Sequence, residues 1–169
     1  MKKISLPVLA VLSFLLLTAL LPKQSIAQSK KDSAKIAQVT SLVDAQHYGF
    51  VVQNVTPMSG RLRQLTSYYD VQVAKDVIVS QLPYFGRAYS APIGASDGGI
   101  NFTSKDFEYT SKPRKKGGWD VVVKFKDAGD AKQMQFTIFN NGTATLQVIS
   151  NNRQPISFGG YVTAPAKKK

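Results

Sequence analysis

Phe136-Thr137-Ile138-Phe139-Asn140-Asn141-Gly142-Thr143-Ala144-Thr145-Leu146-Gln147-Val148 decides the fold. Phe136 and Ile138 lead into Asn141-Gly142, and Ala144, Leu146 and Val148 follow at every second residue, the period of half-buried strands. Asn-Gly favours the positive φ values of a type I′ turn, so the stretch reads as a β-hairpin. Just upstream, Gly117-Gly118 closes a loop and Trp119, Val121, Val123 and Phe125 alternate with Asp120, Val122, Lys124 and Lys126, giving one side a core face. Downstream, Asn151-Asn152 turns the chain before Ile156, Phe158, Tyr161 and Val162, with Gly159-Gly160 marking a bend or bulge.

The same pattern extends toward the N-terminus. Tyr48, Phe50 and Val52 alternate, Pro57-Met58-Ser59-Gly60 turns, and Tyr69, Val71 and Val73 alternate again before Lys75-Asp76 and Val77-Ile78-Val79. Gly98-Gly99 introduces Ile100 and Phe102, and Phe107 and Tyr109 follow. About nine short, evenly spaced strands result, which argues for an all-β antiparallel barrel of eight to nine strands, with a β-sandwich as the alternative. A single helix precedes them. Ile36, Val39, Leu42 and Val43 recur at helical spacing up to about His47, with Asp32 or Ser33 placed to cap the first turn, and the apolar stripe is expected to lie over an open end or face of the sheet.

Residues 1–27 have the form of a secretory signal peptide: Lys2 and Lys3, an apolar run from Leu6 to Leu21, and Ser25-Ile26-Ala27 before Gln28. The expected organisation is signal 1–27, polar leader 28–34, one barrel domain with its helix at 35–163 and a basic tail at 164–169. Export to the periplasm or outside the cell follows from this reading. With no cysteine in the sequence, neither disulfides nor a lipoprotein anchor is expected, and the core must rest on apolar burial. The apolar run is short for a spanning helix and Pro7 interrupts it, so no transmembrane segment is expected after signal removal.

Of 22 basic residues, Lys2, Lys3 and Lys23 precede Gln28, leaving 19 against 10 acidic ones, a net +9. Lys112, Arg114, Lys115 and Lys116 concentrate part of it in one loop, and Lys167, Lys168 and Lys169 end the chain. Such charge is usually solvated; as a working surface it fits an anionic envelope face. With no basic helix or aromatic stripe interleaved with charge, nucleic acid is not an expected partner.

Three patterns bear on chemistry. Gly94-Ala95-Ser96-Asp97-Gly98 matches the nucleophile elbow G-x-S-x-G, but a strand pattern follows it and the only histidine, His47, precedes it, so a flexible turn is expected. Asp106 and Glu108 share a strand face as a glycosidase pair might, although Lys105, Lys112 and Lys124 stand ready to pair with them. His47 alone makes no metal site. Neither metal nor cofactor is expected, and the chain reads as non-enzymatic.

Leu82-Pro83-Tyr84-Phe85-Gly86-Arg87-Ala88-Tyr89 places adjacent aromatics in a turn. These either plug the barrel or form an apolar rim of Tyr84, Phe85 and Tyr89 beside an anion-binding Arg87, taking a small apolar or amphipathic ligand. Together with Gly98-Gly99-Ile100-Asn101-Phe102, Asn141-Gly142, Asn151-Asn152-Arg153, Ile156 and Gly159-Gly160-Tyr161, this element resembles a domain-of-unknown-function family of exported bacterial envelope proteins, over residues 35–163. The resemblance implies a lipocalin-like barrel. It carries no activity and no catalytic residue. The sequence favours a ligand-binding module, with an envelope interaction protein that contacts another protein or a polyanion as the alternative and a hydrolase using Asp106 and Glu108 or Ser96 as the least favoured reading.

Overall fold

The Phe136–Val148 hairpin joins two strands of one continuous antiparallel sheet. A computed structural model describes residues 24–89 and 98–165, with side chains from residue 31. Most of the stretch read as a signal peptide (1–23 of 1–27), Ser96 and the terminal lysines lie outside the described residues. The strands are β1 (Tyr48–Pro57), β2 (Arg63–Gln64), β3 (Asp70–Val73), β4 (Ile78–Leu82), β5 (Ile100–Ser104), β6 (Phe107–Pro113), β7 (Trp119–Phe125), β8 (Ala131–Ile138), β9 (Thr143–Ser150) and β10 (Ile156–Thr163). Among the described residues one helix, α1, spans Gln24–Asp44. The chain divides into two compact units at Ala34/Lys35, the first holding α1 as far as Ala34, the second holding its last ten residues and the whole sheet.

β8 and β9 pair with Phe136 opposite Leu146 and Ile138 opposite Ala144. Their connection corrects the expected turn. Gly142 has φ +83° but Asn141 is not in the left-handed region, so the turn is not type I′. Instead Gly142 N–H donates to Phe139 C=O and Phe139 N–H to Thr143 C=O, a tight turn closed by a left-handed glycine as in three-residue hairpins. The cause is local: the Asn141 side-chain oxygen accepts from Thr143 N–H at 3.0 Å and Thr143 Oγ1 at 2.7 Å, which occupies Asn141 with its own successors.

The sheet runs β5-β4-β3-β1-β10-β9-β8-β7-β6, with β2 paired beside β1. A single continuous sheet distinguishes it from a sandwich. Its end strands β5 and β6 are consecutive in the chain, separated only by Lys105 and Asp106, and pair with β4 and β7 respectively. The run Ile100–Pro113 therefore carries the chain from one end of the sheet to the other and nearly closes the barrel. Asp127, after β7, fastens this junction by accepting from Lys105 N–H at 2.8 Å, Asp106 N–H at 3.1 Å and the Ser104 hydroxyl. The expected irregularity at Gly159-Gly160 falls on the partner: the register of β1 slips between Val52 and Asn54 opposite the two glycines.

Inward-facing residues fill the interior. Tyr48, Phe50, Phe136, Phe158, Met134, Leu146 and Ile156 are fully buried, and Phe136 meets Tyr48 and Phe50 edge to face with centroids 6.2 and 5.7 Å apart. A small barrel has just enough interior for such a packing. Val39 and Val43 of α1 are buried against the sheet, whereas Ile36, expected in the same stripe, is 38% exposed. α1 also begins upstream of Asp32 and Ser33, which are inside the helix and do not cap it.

Candidate functional site

The two ends of the barrel are finished by different chemistry. At one end lie the turns β7–β8 and β9–β10 and the segment after β4. Arg153, in the β9–β10 turn, is only 9% exposed. Its guanidinium Nη1 donates to Gly98 C=O at 2.8 Å and Gly99 C=O at 2.9 Å, and its Nε lies 3.1 Å from Asp130 Oδ2, close in distance but off-line for a hydrogen bond. Asp130 Oδ1 in turn accepts from Asn152 N–H at 2.9 Å, and its backbone C=O from Asn151 N–H. The flat face of the guanidinium lies over the Tyr84 ring, 5.2 Å from its centroid.

The aromatic turn serves this closure. The Tyr84 hydroxyl lies 2.8 Å from Arg87 C=O and 3.1 Å from Gln154 C=O, sharing one proton between them. Gln154 N–H donates to Arg87 C=O, and Tyr89 N–H to Asn152 C=O. Tyr84 can fold back in this way because Gly86 has no side chain; a Cβ there would stand 2.5 Å from the Tyr84 hydroxyl. Phe85 is 41% exposed beneath Arg63, 5.2 Å from the ring centroid, Tyr89 is exposed, and Arg87 contributes its backbone while its side chain is exposed. A cavity of about 290 Å³ beside Arg153 is lined by Ile100, Phe102, Ala128 and Asp130 among others, and none of Tyr84, Phe85, Arg87 or Tyr89 borders it.

At the opposite end, α1 stops over the barrel mouth. Gln46 N–H donates to Val43 C=O and His47 N–H to Leu42 C=O, the paired closure of a Schellman motif. The left-handed position of that motif, where glycine is usual, is held by Gln46 with φ +50°. A side chain there costs about 1 kcal/mol relative to glycine. Asp44 ends the helix with no basic residue in the last turn, the wrong sign for the negative end of the dipole, at a cost of about 0.3–1 kcal/mol.

Both residues border a cavity of about 430 Å³, with Val43, Tyr109, Ser111, Pro113 and Trp119. Tyr109, Ser111 and Pro113 share one face of β6, Tyr109 partly buried and the other two exposed, and Trp119 starts β7 opposite Pro113. The Tyr109 hydroxyl is 3.5 Å from that of Tyr48. Burial pushes the Tyr48 phenol well above its ordinary range, and burial together with the Asp44 charge raises Tyr109.

Residues 30–162 match the model of a domain of unknown function, DUF4251. The chain belongs to the DUF4251 family. A crystal structure of a DUF4251 family protein from Bacteroides eggerthii DSM 20697 matches with a TM-score of 0.59 at 18% identity, covering 80% of this chain and 91% of that one. No curated protein matches the chain.

The remaining sequence-derived positions of this DUF4251 domain do not converge on either cavity. Asp106 and Glu108 are exposed and share Lys126, at 3.6 and 3.5 Å, instead of Lys105, Lys112 or Lys124. In the basic loop Arg114 is tied to Asp120 at 3.3 Å and covers Phe139, leaving Lys112, Lys115 and Lys116 exposed. His47 is exposed. Among the described residues no group of three or more His, Cys, Asp or Glu could hold a metal ion, and no helix is long and apolar enough to cross a membrane. Arg153 stands in the sequence only as part of a turn motif, with no sign of its role, and the Asp44/Gln46 helix end is signalled only by an acidic residue closing the helix without glycine after it.

Proposed function

We propose that this chain is a non-enzymatic, exported binding protein of the bacterial envelope, periplasmic or secreted and not lipid-anchored, that takes a small amphipathic ligand at one barrel end. The cavity under α1 supports this reading: Tyr109, Trp119 and Pro113 offer an apolar wall and Asp44, Gln46 and Ser111 offer polar contacts. Packed side chains in the interior favour a mouth for such a ligand, and of the two ends the one at Arg153 has the smaller cavity and a guanidinium already engaged with Gly98, Gly99 and Asp130. The signal-like residues 1–27 and the absence of cysteine support the address.

Trp119 is the only tryptophan, so its fluorescence reports on this cavity. Titrating the domain with a short-chain amphiphile such as octylamine is expected to give a saturable emission change that Ser111→Phe, which fills the cavity, removes. An emission that does not respond, or responds equally in the filled variant, overturns the reading. A second reading, contact with an anionic envelope surface, rests on exposed Lys112, Lys115 and Lys116. Its mark is binding to anionic vesicles that salt weakens and that serine at these three positions abolishes.

A further inference from the structure

Two features at the α1 end run against the stability of the helix they belong to. Gln46 holds a left-handed position suited to glycine, and Asp44 adds negative charge where the helix dipole is already negative. Both residues border the same cavity, alongside Tyr109 and Trp119, and the exposed Asp44 carboxylate is near enough to Tyr109 to act on its phenol. Aromatic faces attract cations through their quadrupole, most strongly for tryptophan, and do so without requiring hydrogen bonds from the cation. A carboxylate, a negative helix end and two aromatic rings around one opening share one preference. The nearest lysine of β6, Lys112, lies on the opposite face from Tyr109 and Ser111 because strand side chains alternate.

We infer that this cavity is a site for an organic ammonium ion, with Trp119 and Tyr109 receiving its alkyl body, Asp44 supplying the counter-charge and Gln46 closing the mouth. The inference rests on the proposal that this end is the binding end, and it adds the chemical class. It also gives the unfavourable residues a role in the cavity they border, since backbone strain clusters at functional sites.

The test is titration of the domain with choline, followed by Trp119 emission and by amide shifts, in parallel with its neutral isostere 3,3-dimethylbutan-1-ol and with acetate. Choline is expected to saturate, the neutral isostere to bind at least tenfold more weakly, and acetate not to bind. Asp44→Asn should weaken choline at least tenfold while leaving the isostere unchanged. Gln46→Gly should weaken choline while raising the melting temperature, a combination that a purely structural role for Gln46 would not give. If the isostere binds as well as choline, the ammonium assignment fails and the binding end stands. If no probe shifts Trp119 or its neighbours, both fail. Phosphoethanolamine and phosphatidylethanolamine vesicles then separate the sources: response to the first alone marks a free amine, and Asp44-dependent vesicle binding marks a lipid headgroup.

Discussion

The helix end and the arginine end close the same barrel by opposite means. At the first, two valines of α1 supply apolar cover and a cavity is left beside them; at the second, a buried guanidinium ties together three segments distant in sequence. Apolar cover is non-directional, so a helix can tolerate a misfit residue or an opening beside its stripe. A buried charge is directional and must be paired throughout, which leaves little freedom for anything else. The difference teaches where a site can be accommodated in a small filled barrel: at the end whose closure does not depend on every group present.

The largest expected effect comes from breaking the arginine end. Arg153→Ala would strand Asp130 and the Gly98 and Gly99 carbonyls, and a loss of about 3–5 kcal/mol is expected in denaturant unfolding. Arg153→Lys, which keeps the charge but not the planar fork, should recover only part of it. A loss under 1 kcal/mol for Arg153→Ala would erase the contrast between the ends. At the helix end, Val43→Ala removes two buried methyl groups and should cost about 2 kcal/mol.

Smaller effects sharpen the comparison. Tyr84→Phe removes the proton shared by Arg87 and Gln154 carbonyls and should cost about 1 kcal/mol. Gln46→Gly should stabilise by about 1 kcal/mol, the one change of the set with a favourable sign. The ends should also fail on opposite sides of neutrality. The Tyr48 phenol is raised in the folded state, so its stabilisation is complete below the ordinary value of 10.0 and is lost as pH climbs beyond it. Asp127 is held below its ordinary 3.8, first by the Ser104 hydroxyl and then by Lys105 N–H, so its contribution is present above that value and lost as pH falls through the lower folded one. Unfolding curves against pH should therefore lose part of their acid limb in Asp127→Asn and part of their alkaline limb in Tyr48→Phe.

The unequal legibility of the two ends follows from the same contrast. Val39 and Val43 announce the helix end through spacing, and the barrel strands announce themselves through alternation, as in Trp119, Val121 and Val123. Arg153 gives no such sign, because a single arginine after Asn151-Asn152 has the pattern of a solvated turn and two of its partners are backbone carbonyls, which every residue carries. The aromatic turn was visible as a plug or a rim; which of its groups are spent on closure depends on Gln154 and Asn152, some seventy residues on. The Asn141-Gly142 turn was visible as a turn, while its type depended on where the Asn141 side chain pointed. The cavity under α1 was not legible, since it requires β6, the start of β7 and the helix end to be brought together.

The most direct measurement is the map of backbone amide shifts on adding choline to the folded domain. The expected result is saturable change centred on Asp44–Gln46, Tyr109–Ser111 and Trp119, with the Arg153 end unaltered. Shifts centred instead on Gly99–Phe102, Ala128–Ala131 and Arg153 would contradict the division of the barrel into a closing end and a binding end.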